Sequence, residues 1–320
     1  MRYLSAKDLD DLVPPATLVA AIEQALRDFA QGKVTVATRQ HLQREEKTLL
    51  SMPVIGATAF GVKLVSVMPG NAARGLPVTN GLMMLGDGDS GLPLAVLNAA
   101  ALTAQRTGAV GAVGLKLTTP ADVDRVGIIG TGVQGTWQAI FACAVRPIRT
   151  VCFVARSEDR AQRFVDAITS RAPAATLVRC RDAEDLVRQC PVVIAATTST
   201  QPVLPDDGAL LDGKHFISVG SFRPVMQELP TAVYRLAQHA VIDSDAARHE
   251  VGDLINPLAA GALREDQVYH LATLITGERA VDVRRTTVLK TVGMALYDLY
   301  AAGALVAEAE RIGRGTELEP

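Results

Sequence analysis

Between Arg125 and Val145 the chain carries a pattern that few folds accommodate. A short apolar run, Arg125-Val126-Gly127-Ile128-Ile129, leads straight into Gly130-x-Gly132-x-x-Gly135, and a helical pattern continues from Thr136 to Val145. Each glycine answers a separate steric demand. Gly130 permits the tight turn, Gly132 lets the backbone approach a pyrophosphate, and Gly135 lets helix and strand pack closely. The free N–H groups and the positive dipole at the helix start then offer a phosphate site. A glycine-rich turn in some other doubly wound fold is the competing reading; the strand–turn–helix context favours a dinucleotide site.

A second strand follows, Thr150-Val151-Cys152-Phe153-Val154, ending in Ala155-Arg156-Ser157. A site selecting NAD places Asp or Glu near there to bond the ribose 2′-hydroxyl. Arg156 and Ser157 offer a cation and a hydroxyl, which suit a 2′-phosphate. The expected cofactor is therefore NADPH, with NADH as the alternative. From Asp122 to about Leu289 strand and helix alternate, as in a doubly wound sheet. Helices are expected at 160–168 and 183–189, and strands at 174–179, 191–196, 215–220 and 240–243. Thr197-Thr198-Ser199-Thr200 falls at the loop position where such sheets bind ligands. The fold class is α/β, with a Rossmann-type doubly wound sheet.

The 320 residues suffice for a second domain with its own core. A net charge of −2 exerts no global pull on nucleic acid or an anionic membrane, so any anion site must be local. Cys143, Cys152, Cys180 and Cys190 lack C-x-x-C spacing and read as small core residues. The histidines (His41, His215, His239, His249 and His270) show no metal-ligand spacing, and no metal is expected. The start of the sequence lacks the apolar core of a signal peptide and no run is long enough to span a membrane, which points to the cytoplasm.

The opening third reads as helix and then sheet. Thr17 caps a helix that ends near Gly32, Val34 to Gln43 forms a strand containing Arg39, and further strands cover 49–52, 59–68 and 81–85. Lys63 lies in Phe60-Gly61-Val62-Lys63-Leu64-Val65, flanked by apolar residues. It requires an anion or a cleft, or else it snorkels outward from a half-exposed strand; the pattern leaves both open. Arg106 is the sole charge between Ser90 and Leu115 and opens a glycine-rich helix. Its planar fork suits a ligand carboxylate, with a structural ion pair as the alternative. A long amphipathic helix from Thr286 onward returns the chain to the first domain. The expected division is 1–117 with 290–320 for substrate binding and dimerisation, and 118–289 for the dinucleotide.

Several segments together resemble the ornithine cyclodeaminase/μ-crystallin family over nearly the whole length: Gly61-Val62-Lys63, Gly75-Leu76-Pro77, Ser90-Gly91-Leu92-Pro93-Leu94-Ala95, Leu102-Thr103-Ala104-Gln105-Arg106-Thr107-Gly108-Ala109, Gly130-Thr131-Gly132-Val133-Gln134-Gly135 and Lys290-Thr291-Val292-Gly293. The resemblance implies NAD(P)-dependent redox chemistry on amino acids or their cyclic imines, and a homodimer formed through the non-nucleotide domain. Arg39, Lys63, Thr79 and Arg106 fall where the family binds substrate, with Lys63 and Arg106 as the catalytic candidates. Thr107, Gly130, Thr131, Gly132, Val133, Gln134, Gly135, Arg156, Ser157, Thr197, Thr198, Val219 and Thr291 fall where it binds the dinucleotide. Two departures matter. Cyclodeaminating members carry carboxylates where this chain has Leu50 and Phe222. Oxidising an amine requires a base to take the ammonium proton, whereas an imine can arrive already protonated. The expected activity is therefore reduction of Δ1-pyrroline-2-carboxylate or Δ1-piperideine-2-carboxylate. Ornithine cyclodeamination, alanine-dehydrogenase-like chemistry and non-enzymatic ligand binding remain the alternatives.

Overall fold

The computed structural model describes residues 1–319. In chain order the elements begin with β1 (Arg2–Leu4), α1 (Ala6–Leu9), α2 (Pro15–Ala30), β2 (Thr35–Val36), β3 (Gln40–Arg44), β4 (Lys47–Ile55), β5 (Ala59–Val67), β6 (Thr79–Asp87), β7 (Pro93–Asn98) and α3 (Ala99–Thr118). There follow β8 (Arg125–Ile129), α4 (Val133–Val145), β9 (Thr150–Val154), α5 (Glu158–Arg171), β10 (Thr176–Arg179), α6 (Ala183–Gln189), β11 (Val192–Ala195), α7 (Gly208–Leu211), β12 (His215–Ser218) and α8 (Thr231–Leu236). The last are β13 (Ala240–Ile242), α9 (Ala247–Glu250), α10 (Gly252–Ala259), β14 (Val268–His270), α11 (Leu271–Ile275), β15 (Thr287–Lys290), α12 (Ala295–Ile312) and β16 (Thr316–Glu317).

Two units result: residues up to Arg106 together with those from Met294 onward, and Thr107–Gly293. The divisions differ from the expected 117/118 and 289/290. The first falls within α3, because Gly108, Gly111 and Gly114 are stripped of side chains where Phe141, Gln138 and Leu289 press against the helix. A Cβ at Gly111 would stand 1.9 Å from Gln138 Oε1.

In the first unit β4, β5, β6 and β7 form an antiparallel run within a larger sheet. One face carries Met52, Val54, Met83, Leu85, Ala95 and Leu97, all buried. Helix α12 packs on β4, β5 and β6, and α2 packs on α12. Thr17 is not the cap of α2. Proline at the first helical position lets the helix start at Pro15, where its missing N–H costs nothing. The expected strand from Val34 to Gln43 is interrupted, and Arg39 lies in the gap between β2 and β3. Both strands pair with β4, and the break falls opposite Pro53, which accepts from Ala37 N but has no N–H to return.

The second unit is a fully parallel sheet of order β10-β9-β8-β11-β12-β15-β13-β14. Two of its strands, β14 and β15, are absent from the expectation. Residues 287–290 are not the beginning of the last helix: all four are buried, and β15 inserts between β12 and β13. Helix α12 begins only at Ala295. Among the described residues no helix is long and apolar enough to cross a membrane, and no group of side chains is arranged to hold a metal ion.

Candidate active site

In the first unit the pleat of β5 alternates outward-facing apolar residues with a buried row, and Lys63 falls in that row. Its cross-strand neighbours are Met52 and Met83. Burying an ammonium among methionines requires a counter-charge. Asp298, fully buried near the start of α12, supplies it. Lys63 Nζ donates to Asp298 Oδ2 at 2.7 Å and to Thr103 Oγ1 at 3.4 Å. The second carboxylate oxygen, Oδ1, accepts from Arg106 Nε at 3.0 Å. Arg106 lies in the middle of α3 rather than at its start, because the helix begins seven residues earlier in sequence than expected, with Asn98 Oδ1 accepting from Ala101 N. Its Nη1 is buried without a hydrogen-bond partner.

One carboxylate thus serves two buried cations. Burial pushes the Lys63 ammonium down, Asp298 holds it up, and Arg106 and Arg39 press it down further, leaving a pKa of about 8. Arg39 is half-buried and close enough for its charge to be felt at Lys63. Thr79 is not brought to this cluster. It pairs with Val67 at the far end of β6 from Met83, roughly 13 Å along the strand from the residue facing Lys63.

Asp298 is a residue the sequence reading overlooked. The signal was present: a charge set between Tyr297 and Leu299 on an apolar helix is the same anomaly that singles out Lys63.

In the second unit the three motif glycines meet three different surroundings. Gly130 has φ of 103°, and a Cβ there would lie 2.4 Å from the Ala196 carbonyl. Gly135 faces the Gly130 carbonyl at 1.9 Å from where its own Cβ would be. Gly132, by contrast, faces open space. That combination of two filled sides and one open one fits a ligand lying over Gly132. Helix α4 has no side-chain cap, so its first N–H groups remain for an anion. Gln134 adds a buried side-chain oxygen with no partner, an atom that a ligand group can satisfy. Thr131 is half-buried and Val133 exposed in the same turn.

At the end of β9, Arg156 and Ser157 are exposed, and Ser157 N-caps α5 without spending its hydroxyl on the helix. The nearby Glu158 is paired with Arg179. Thr198 is exposed and Val219 half-buried at the ends of β11 and β12. The hydroxyls of Thr197 and Thr291 are committed internally: Thr197 Oγ1 donates to Glu228 Oε1 at 2.9 Å and Thr291 Oγ1 to Asp243 Oδ2 at 2.7 Å. Thr107 is buried, and its carbonyl accepts from Gln138 Nε2.

Two further carboxylates were not anticipated, and both organise these loops. Glu228 accepts from the backbone N–H groups of Thr197, Gly220 and Ser221 and from Ser218 Oγ. Asp243 accepts from the N–H groups of Val292 and Gly293. Neither lies in a recognisable motif, so sequence reasoning had no handle on them.

A doubly wound sheet with an open glycine turn, and a separate unit holding a buried lysine–arginine pair, define an oxidoreductase of the dinucleotide-binding class acting on an anionic small molecule. Comparison with known sequences narrows the class. A model of the ornithine cyclodeaminase/mu-crystallin family matches residues 3–311, and the chain belongs to that family. It is 34% identical to the Δ1-pyrroline-2-carboxylate reductase of Bacillus cereus, over all of both chains. Among solved structures, the Thermococcus litoralis Δ1-pyrroline-2-carboxylate reductase in complex with NADH and L-proline superposes with a TM-score of 0.91 at 29% identity, covering 99% of this chain and 100% of that one. An archaeal alanine dehydrogenase dimer with bound NAD gives 0.89 at 26% identity, covering 100% and 99%.

Proposed function

We propose that this protein is an NADPH-dependent reductase of cyclic imino acids, converting Δ1-pyrroline-2-carboxylate or Δ1-piperideine-2-carboxylate to L-proline or L-pipecolate. The observation that carries the reading is the shared carboxylate: Asp298 occupies Lys63 Nζ and Arg106 Nε and leaves Arg106 Nη1 unpartnered. Two cations against one anion leave the cluster one positive charge in excess, which suits a monocarboxylate substrate. The relatives named above support the imine-reductase part of the assignment, since one is a pyrroline-2-carboxylate reductase solved with NADH and L-proline; the preference for NADPH over NADH rests on Arg156 and Ser157 alone.

Arg106 Nη1 takes an oxygen of the substrate carboxylate, and Arg39 adds to the attraction. Lys63 as its ammonium gives a proton to the imine nitrogen, which makes the ring carbon electrophilic. The dinucleotide, when bound, supplies the hydride for that carbon. Imine, proton and NADPH give amino acid and NADP⁺, with no covalent intermediate and with orientation providing much of the rate. Gly130, Gly132, Gly135 and the start of α4 hold the pyrophosphate, and Arg156 with Ser157 takes the 2′-phosphate. Thr107, Thr131, Val133, Gln134, Thr198 and Val219 line the rest. Thr197 and Thr291 contribute by fixing their loops through Glu228 and Asp243. Leucine and phenylalanine at positions 50 and 222 argue against ornithine cyclodeamination, which requires a base.

The active form in this reading is a cytoplasmic homodimer. Leu42, Leu49, Ile55, Leu64 and Leu82 are all exposed. Strand register places them on the sheet face opposite Lys63. Such a patch marks an interaction surface. NADPH absorbance should fall when Δ1-pyrroline-2-carboxylate is added to purified protein. Ammonia release from L-ornithine without net NADPH use, and no loss of absorbance with either imine, would overturn the assignment.

A further inference from the structure

Asp298 has no exposed surface, yet it decides the state of two groups that the proposed reaction uses. Three observations give it that standing. It meets each cation through a different oxygen, Oδ2 toward Lys63 and Oδ1 toward Arg106. Its hold on Arg106 is at Nε, which fixes the guanidinium plane while Nη1 stays without a partner. And the charged groups facing Lys63 oppose one another: Arg106 from α3 and Arg39 from the segment between β2 and β3 both favour the neutral amine, whereas Asp298 from α12 favours the ammonium. Met52 on β4 and Met83 on β6 carry no charge.

We propose that Asp298 is the positioning residue of this site, keeping Lys63 protonated as the acid for the imine nitrogen and holding Arg106 by its Nε so that Nη1 is kept for the substrate carboxylate. The inference rests on the reductase reading and extends it. Asp298 acts only through its two partners. Removing its charge while keeping its shape deprives Lys63 of the charge that favours the ammonium, so burial, Arg106 and Arg39 all then press toward the neutral amine.

The test is Asp298→Asn in the full chain, with lysine labelled at ¹³Cε. In the parent protein the Lys63 resonance should titrate near pH 8. In the variant its midpoint should move to about pH 7 or below, a change of tenfold or more. The alkaline limb of kcat/KM should move the same way, and KM for the imine should rise about tenfold as Arg106 loses its brace. The dissociation constant for NADPH should stay as in the parent, and Asp298→Glu should return the limb toward its parental position. A folded Asp298→Asn protein whose Lys63 titration and pH profile match the parent would sink the proposal. So would a parent Lys63 that is already neutral well below pH 7, which decides the matter even if the variant does not fold. The resonance measurement needs no turnover, so a protein inactive on both imines but with the shifted titration would overturn the reductase reading alone.

Discussion

At the scale of single residues the site is an exercise in shared charge. Arg106 uses its side edge for Asp298 and retains Nη1, a division of labour that a lysine cannot reproduce because an ammonium is a point charge without a fork. Arg106→Lys should therefore raise KM for the imine by about ten- to a hundredfold, the loss expected for one charge-assisted hydrogen bond, with a smaller effect on kcat. Steady-state kinetics at fixed NADPH checks this, and an unchanged KM would remove Arg106 from substrate binding. How much of this was legible follows a simple physical rule. Lys63 and Arg106 stand out in sequence because a lone cation in an apolar run has to be compensated. The compensating partner is more than 190 positions away from either, and sequence separation carries no information about it. Glu228 and Asp243 are hidden for a different reason: their partners are mostly backbone N–H groups, which every residue has.

Among the elements, β12 and β15 show how a buried polar pair stiffens the parallel sheet and how it responds to pH. His215 on β12 pairs in register with Thr287 on β15, and the two side chains meet at 2.9 Å. Thr287 Oγ1 spends its proton on the Thr118 carbonyl, so His215 Nδ1 is the donor. Burial, with some help from Lys214, lowers the His215 pKa from 6.5 to about 4. An unfolded chain protonates this ring below pH 6.5 while the folded one resists until about pH 4, so its stabilisation is complete above pH 6.5 and fades as the pH falls toward 4. The cost is on the order of 3 kcal/mol. Asn at this position keeps a donor without a titrating ring. His215→Asn should flatten the decline of stability between pH 6.5 and 4, as read by urea unfolding at a series of pH values; a decline as steep as the parent's would contradict the pairing. The same strands mark where pattern reading failed. Thr287-Val288-Leu289-Lys290 is apolar enough to extend the spacing of α12, and only its burial on both faces identifies it as a strand. The motif strand β8 is legible because the glycine at 130 fixes its end, although α4 begins at Val133 rather than at the expected Thr136.

For the whole molecule, a net charge of −2 offers no general attraction for an anion, so substrate and cofactor must each be drawn to a local cluster of positive charge. The exposed leucines of the first unit's sheet belong to this scale as well. Leu64 and Leu82 face each other across β5 and β6. Leu64→Asp combined with Leu82→Asp should convert a dimer into a monomer in sedimentation, whereas a parent that sediments as a monomer would leave that face without its proposed partner. The central claim, that the protein reduces a C=N carbon with hydride from a reduced nicotinamide, is tested most directly by isotope transfer. With NADPH deuterated at both hydrogens of the nicotinamide C4 and Δ1-pyrroline-2-carboxylate as substrate, the account predicts L-proline carrying one deuterium at Cα. Unlabelled proline, or no proline at all from protein shown to bind NADPH, would contradict it.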